Sequence, residues 1–373
     1  LSKIKISLDA RPLSTPVSGV GRLIAETLFH FPDKDKYQFV LHSHLPIHKN
    51  HYKILELPNI TPRIGKGLLA KKGGAYFLLY LPFEIRNEAP DLFWGSQQVI
   101  PLGLPTNLPI VLTFCDLVLY LYPETMRKIA ALQQRLFQSY SVKHADFILS
   151  ISNSTRMDLL NKFDYPYDKT GVAFPGVSTS GILNILKDFS IDTSLNIPES
   201  FLLSVSTIEP RKNYSFLLNS YKEYRKLAGS SKLPWVIVGK IGWEDPFFIE
   251  LLEKEILEYK DIIIINNCQD SLLHYLYSKC EIFLFASLYE GFGIPLLEAL
   301  AHRKKCLVAD IPTFREIGGE SIPYLETISP IEWAKKIIEL QSSHEIPMID
   351  LEKFSWERSA LETEKAFQSA LKK

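Results

Sequence analysis

Two glutamates, Glu290 and Glu298, stand with seven residues between them within the stretch from Phe283 to Ala299, FLFASLYEGFGIPLLEA. A pair of carboxylates at a ligand crevice can bind sugar or ribose hydroxyls. It can also serve as the acid and nucleophile of glycoside hydrolysis. Ahead of them, the apolar run Ile282 to Ala286 is short and sharply bounded, as a buried strand is. The chain breaks at Glu290-Gly291-Phe292-Gly293 and resumes as a helix, with Pro295 suited to the first helical position and good helix formers after it. A strand, a glycine turn and a helix start aim backbone N–H groups at an anion or at hydroxyls, so the turn Phe292, Gly293 and Ile294 is a candidate binding segment. Glu290 at the strand's carboxyl end and Glu298 in the first helical turn can both face the crevice where open α/β sheets bind ligands. The plain alternative is an exposed loop glutamate plus one that complements the helix dipole.

This stretch resembles the Glu-x7-Glu signature of the family 4 retaining glycosyltransferases. That resemblance implies an α/β fold of two Rossmann-like domains (GT-B), with the active site in the interdomain cleft. A second segment, Thr207 to Asn213 (TIEPRKN), is similar to one in the same family. By that likeness Lys212 meets a nucleotide diphosphate as a compact positive charge, with little packing expected to depend on its ammonium. Many members place an arginine near the preceding strand end. Here Ser206 holds that place, and Arg211 is the nearby substitute. The family also has a glycine loop after its first strand, matched by Gly19 and Gly21, whose amides are expected near the donor's diphosphate. Related proteins hold the nucleobase with backbone groups where this chain has Asn266-Asn267-Cys268, which makes Asn267 a candidate. The family's His-Asp pair after the strand at 109–113 is replaced by Cys115-Asp116. Asp116 remains as a candidate catalytic residue, but a thiol cannot hydrogen-bond as imidazole does.

The elements that must position these residues follow a repeated pattern. Residues 3–8 alternate as a strand, and the segment LIAETLFHF reads as a helix after Gly21. The third glycine of G-x-G-x-x-G is missing, because Ile24 occupies its place, and no acidic strand end follows; a dinucleotide site is thereby disfavoured. Strands are expected at 37–42, 91–94, 109–113, 201–205, 235–238, 261–265 and 306–308, with helices between them. The second half restarts with a strand, a loop and a helix, which supports two similar α/β domains. The expected division is an acceptor-binding domain, 1–185, and a nucleotide-sugar domain, 186–355, with a last helix, 356–373, returning to the first.

Lysines and arginines number 42 and so do aspartates and glutamates, so no bulk attraction to nucleic acid or membrane follows. Cys115, Cys268, Cys280 and Cys306 show no C-x-x-C spacing, which points to reduced thiols in a cytoplasmic protein. No signal peptide is expected, and the apolar stretch 108–122 is interrupted by Asp116 and too short to span a bilayer. Residues 62–88 mix Arg63, Lys66, Lys71 and Lys72 with leucines and aromatics. Either a solvated basic face or a peripheral contact with an anionic inner membrane face fits them.

The resemblance implies a retaining, metal-independent hexosyltransferase with no cofactor beyond its nucleotide-sugar donor. The TxEPRKN variant resembles that of mannosyl- and rhamnosyl-type enzymes, which makes GDP-mannose the expected donor, with transfer onto a glycan or lipid-linked glycan of the polysaccharide or lipopolysaccharide kind. The candidate roles are Lys212, Glu290 and Asp116 in catalysis. Gly19, Gly21, Ser206, Arg211, Asn267, Phe292, Gly293, Ile294 and Glu298 would bind substrate, and no residue is assigned to a metal. A nucleotide-sugar epimerase of the same fold and a non-catalytic nucleotide-sugar binder are the alternatives; product analysis with labelled donor separates transferase from epimerase, and donor hydrolysis without acceptor counts against the binder.

Overall fold

The computed structural model describes residues 3–16, 18–67, 69–125, 128–178, 196–242 and 244–372. Short runs of isoleucine, valine, leucine and phenylalanine form its strands, and most are buried on both faces, as parallel sheets covered by helices require. The first sheet contains β1 (Ile4–Asp9), β2 (Tyr37–Ser43), β3 (Ile60–Ile64), β4 (Leu92–Gly95), β5 (Ile110–Phe114), β6 (Phe147–Ser150) and β7 (Thr170–Val172) in the order β3-β2-β1-β4-β5-β6-β7. The second contains β8 (Leu202–Val205), β9 (Trp235–Val238), β10 (Ile262–Ile265), β11 (Ile282–Phe285), β12 (Lys305–Ala309) and β13 (Tyr324–Leu325) in the order β10-β9-β8-β11-β12-β13. Neighbouring strands are parallel throughout both sheets.

Each sheet therefore reverses its strand order once, between β1 and β4 in the first and between β8 and β11 in the second. Loops leaving the carboxyl ends of such a pair diverge to opposite faces of the sheet and leave a crevice. Most expected strands lie within one residue of the observed ones. One shift matters: β1 ends at Asp9, paired in register with His42, so this carboxylate lies at the strand terminus.

Contacts divide the chain into Leu1–Gly176 with Glu352–Lys373, and Val177–Leu351. The changeover expected at 185/186 lies outside the described residues. In the first unit, the helix Trp356–Leu371 is capped by Ser355, whose hydroxyl accepts from the Arg358 amide at 3.2 Å. Its Ala360, Phe367 and Ala370 enter the core beside Phe31, Phe39 and Trp94. The Tyr37 hydroxyl donates to Glu364 at 3.0 Å, which ties that helix to β2. The second unit's core gathers Tyr214, Tyr221, Tyr224, Trp235 and Trp333 around β8, β9 and β11.

Candidate active site

β8 and β11 are neighbours, with Leu202 opposite Ile282, so the loops at their carboxyl ends run side by side. The loop after β8 closes in a short helical turn, Pro210–Lys212, and Asn213 leaves it in the left-handed region (φ 57°) to start the helix Tyr214–Ala228. The loop after β11 is stitched to it by the Leu288 amide, which donates to the Arg211 carbonyl at 2.9 Å. Glu290 is thereby brought against both cations. Lys212 Nζ lies 2.5 Å from Glu290 Oε1, and Arg211 Nη1 lies 2.8 Å from Oε2. Arg211 also donates to the Tyr289 carbonyl and to Glu209, each at 2.8 Å. The Ser287 hydroxyl donates to Glu290 Oε1 at 2.7 Å, and the Thr313 hydroxyl to the Glu290 carbonyl at 2.7 Å.

Glu290 is only 8% exposed, so it is not the exposed loop glutamate of the plain alternative. Burial alone would raise its pKa. The charges of Arg211 and Lys212, with hydrogen bonds from Lys212 and Ser287, outweigh that and hold it at about 2. Burial pulls the Lys212 ammonium below its ordinary value, against the opposing pull of Glu290. The ammonium also lies 5.4 Å from the centre of the Phe285 ring. The expectation that little packing depends on Lys212 is thus corrected: its side chain is enclosed and shares a buried ion pair.

Gly293 sets the next element. Its φ of 118° suits glycine, and a Cβ there would meet the Phe314 ring at 3.0 Å. With Gly293 as N-cap the helix runs Ile294–Ala301, which makes Pro295 its second residue and not its first. Glu298 is the fifth residue, one place further along the helix than expected, and it is buried. Phe292 is buried under the same turn. Ser206 follows β8 directly and shares a 2.9 Å hydrogen bond with the Tyr214 hydroxyl. Asn267, beyond the end of β10, is exposed in the left-handed region (φ 54°) and lies two strands from β8.

The remaining candidates belong to the first unit. Gly19 and Gly21 are not in a loop before the helix; they are its first and third residues, in Gly19–Phe29. The Ser18 hydroxyl accepts from the Gly21 amide at 2.9 Å, so that amide is committed to the cap. The Gly19 and Val20 amides, by helix geometry, have no intrahelical acceptor. Gly21 is required by packing, because a Cβ there would lie 2.9 Å from the Pro12 carbonyl oxygen. Asp116 is half-buried and accepts from the Val118 amide at 3.2 Å. Its neighbour Cys115 packs with Leu23 and Trp356, and burial pushes its thiol far above the ordinary range.

Sequence reasoning missed Glu209, Ser287 and Thr313, which hold Arg211 and Glu290 in place, and it missed a parallel arrangement in the first unit. There the buried Asp9 accepts from Arg11 at 2.7 Å and from Gln97 at 2.7 Å. The signal was available: an acidic residue, one spacer and an arginine occur at the end of the first strand of one unit and in the loop after the first strand of the other, as Asp9-Ala10-Arg11 and Glu209-Pro210-Arg211. Among the described residues no group of three or more His, Cys, Asp or Glu is placed to hold a metal ion, and no helix is long and apolar enough to cross a membrane.

Two parallel sheets of this order, with a cationic clasp at the second sheet's switch point, define a glycosyltransferase of the GT-B fold. Residues 189–348 match the family model of the glycosyl transferases group 1, and the chain is a GT-B glycosyltransferase that resembles family 4. It is 25% identical over 343 residues to the O-antigen chain mannosyltransferase B of Escherichia coli, covering 85% of each chain. It is 23% identical over 290 residues to the O-antigen chain mannosyltransferase RfbU of Salmonella typhimurium, covering 77% of this chain and 76% of that one. The crystal structure of the pneumococcal O-GlcNAc transferase GtfA, in complex with UDP and GlcNAc, superposes over the whole of both chains with a TM-score of 0.67 at 13% identity, a likeness of fold.

Proposed function

We propose that the chain is a retaining, metal-independent mannosyltransferase that moves mannose from GDP-mannose to a growing glycan carried on a lipid. The observation that carries this reading is the clasp of Lys212 and Arg211 on Glu290 at the carboxyl ends of β8 and β11. The names of the two O-antigen relatives support the sugar and the kind of acceptor.

Cleavage of the donor's anomeric C–O bond leaves negative charge on the departing diphosphate and positive charge on the sugar ring. In this reading the diphosphate replaces Glu290 as the partner of Lys212, and the start of the helix Ile294–Ala301 supplies further positive potential. Glu290 stays fixed through Arg211 and Ser287 and receives the sugar hydroxyls, while Glu298 serves the ribose. The released phosphate oxygen takes the proton of the incoming acceptor hydroxyl, so no protein nucleophile is invoked.

Thermal unfolding with a panel of nucleoside diphosphates and their sugars tests the donor, because a ligand of the folded state alone raises the melting temperature. GDP and GDP-mannose should give the largest rises, and the anomeric configuration of the product should match that of the donor. A larger rise with UDP would replace the guanine assignment. No rise with any nucleoside diphosphate would remove the reading.

A further inference from the structure

In the first unit a continuous helical rod runs from Gly73–Ala75 through the wider turn Tyr76–Tyr80 into Leu81–Glu88. One side is anchored: Tyr76, Phe77, Leu81 and Ile85 are buried in the core. Water would select a polar face opposite that anchor. Instead Leu79 is 67% exposed and Phe83 60%, four residues apart and so on one side of the rod. Leu78 (39%) and Leu102 (45%) add to the exposed apolar surface, and Leu102 adjoins Gly103, whose Cβ would lie 3.6 Å from the Arg86 guanidinium.

The charges around this surface have one predominant sign. Arg63, Lys66, Lys71, Lys72 and Arg86 are all exposed, whereas the only carboxylates in the same stretch, Glu84 and Glu88, are half-buried. Glu88 is shared among Lys5, Arg63 and His42 at 3.7 to 4.0 Å. Lys71 and Lys72 lie at the start of the rod, and Arg86 near its end. Long cationic side chains flanking exposed leucine and phenylalanine are the pattern of a surface that lies in a bilayer interface. The apolar groups enter the acyl boundary and the cations meet lipid phosphates.

We propose that the outward side of the rod Gly73–Glu88, with Leu102, docks on an anionic lipid bilayer. The site deepens the reading of a lipid-carried acceptor, since docking would hold the enzyme on the surface that displays its substrate.

The test is co-sedimentation of the full chain with vesicles of phosphatidylglycerol mixed with phosphatidylcholine, and with vesicles of phosphatidylcholine alone. Binding is expected only to the mixed vesicles at low salt, and it should fall as ionic strength rises toward roughly 0.5 M. Lys71→Glu/Lys72→Glu should weaken it on the order of 25-fold, at about fivefold per cation lost from the surface. Leu79→Ser/Phe83→Ser should weaken it by about tenfold or more without touching charge. The charge-matched control Lys254→Glu/Lys260→Glu, on exposed positions of the second unit, should bind as the unaltered chain does. Absence of binding at low salt, equal loss in the control, or full binding by Leu79→Ser/Phe83→Ser would each overturn the proposal. The thermal response to nucleoside diphosphates is read on the same variants. If that response is intact while vesicle binding is absent, the docking surface fails and the transferase reading stands.

Discussion

Lys212 and Glu290 are 78 residues apart in the chain and joined by a 2.5 Å contact between ammonium and carboxylate. The pair closes the loops of two adjacent strands, and Arg211 completes it from the other carboxylate oxygen. A donor diphosphate entering here would exchange one carboxylate partner of Lys212 for phosphate oxygens, with no net burial of an unpaired charge.

Lys212→Met should therefore affect both rate and stability. Loss of a charge-assisted contact to the diphosphate should cost about 1.5–3 kcal/mol of transition-state stabilisation, on the order of ten- to hundredfold in turnover. Urea unfolding of Lys212→Met, Glu290→Gln and the double variant should give a coupling of about 1 kcal/mol or more, because the two groups touch. Normal turnover by Lys212→Met would reduce the lysine to a structural cation.

Acid should find the same pair. Glu290 has a folded pKa of about 2, below its ordinary value of 4.5, so its ionisation favours the folded state above that ordinary value. This contribution is lost as pH falls through the window between the two values, where the unfolded chain takes up the proton first. Glu290→Gln should flatten the pH dependence of unfolding between about 4.5 and 2 by up to about one proton. An unchanged slope in that window would show that Glu290 ionises alike in both states.

Glu290 and Glu298 should separate kinetically. Glu290 lies at the clasp, where the reacting sugar would sit, and Glu298 is one helical turn deeper. Interactions that strengthen in the transition state raise kcat, whereas uniform binding alters KM. Glu290→Gln should chiefly lower kcat. Glu298→Gln should raise the donor's KM and weaken calorimetric binding of the free nucleoside diphosphate. The reverse pattern would exchange their assignments.

The two glycines of the first helix should differ in stability. A Cβ at Gly21 would lie 2.8 Å from Ser18 Oγ and 2.9 Å from the Pro12 carbonyl oxygen, whereas one at Gly19 meets nothing within 4 Å. Gly21→Ala should cost about 1–3 kcal/mol through overpacking. Gly19→Ala should be neutral or stabilising by up to about 1 kcal/mol. Thermal unfolding of the two variants decides it, and equal effects would count against the close approach at Gly21.

Sugar transfer should survive chelation. The positive charge facing the leaving group is assigned to Lys212, Arg211 and helix-start amides, so EDTA should leave turnover within about twofold. Abolition by EDTA with recovery in Mg²⁺ or Mn²⁺ would place a metal on the diphosphate.

The sequence by itself determined most of the elements and the family resemblance. Most strands are short apolar runs between turn residues, and Trp235–Val238 is read correctly to the residue because local composition changes sharply at its ends. Glu290 and the Gly293 turn are legible because Gly293, with Pro295 two residues on, marks a break from strand to helix, and Lys212 because it lies in the segment Thr207 to Asn213. What the sequence could not decide was partnership. Whether Glu290 faced solvent or was clasped by two cations depended on β8 lying beside β11, and strand order is a property of the folded sheet. The amide of Gly21 was lost to Ser18 through a cap geometry that only coordinates reveal. Glu209, Ser287 and Thr313 gained their roles the same way, since a polar side chain becomes a positioning group only when packing brings its hydrogen-bond partner within about 3 Å.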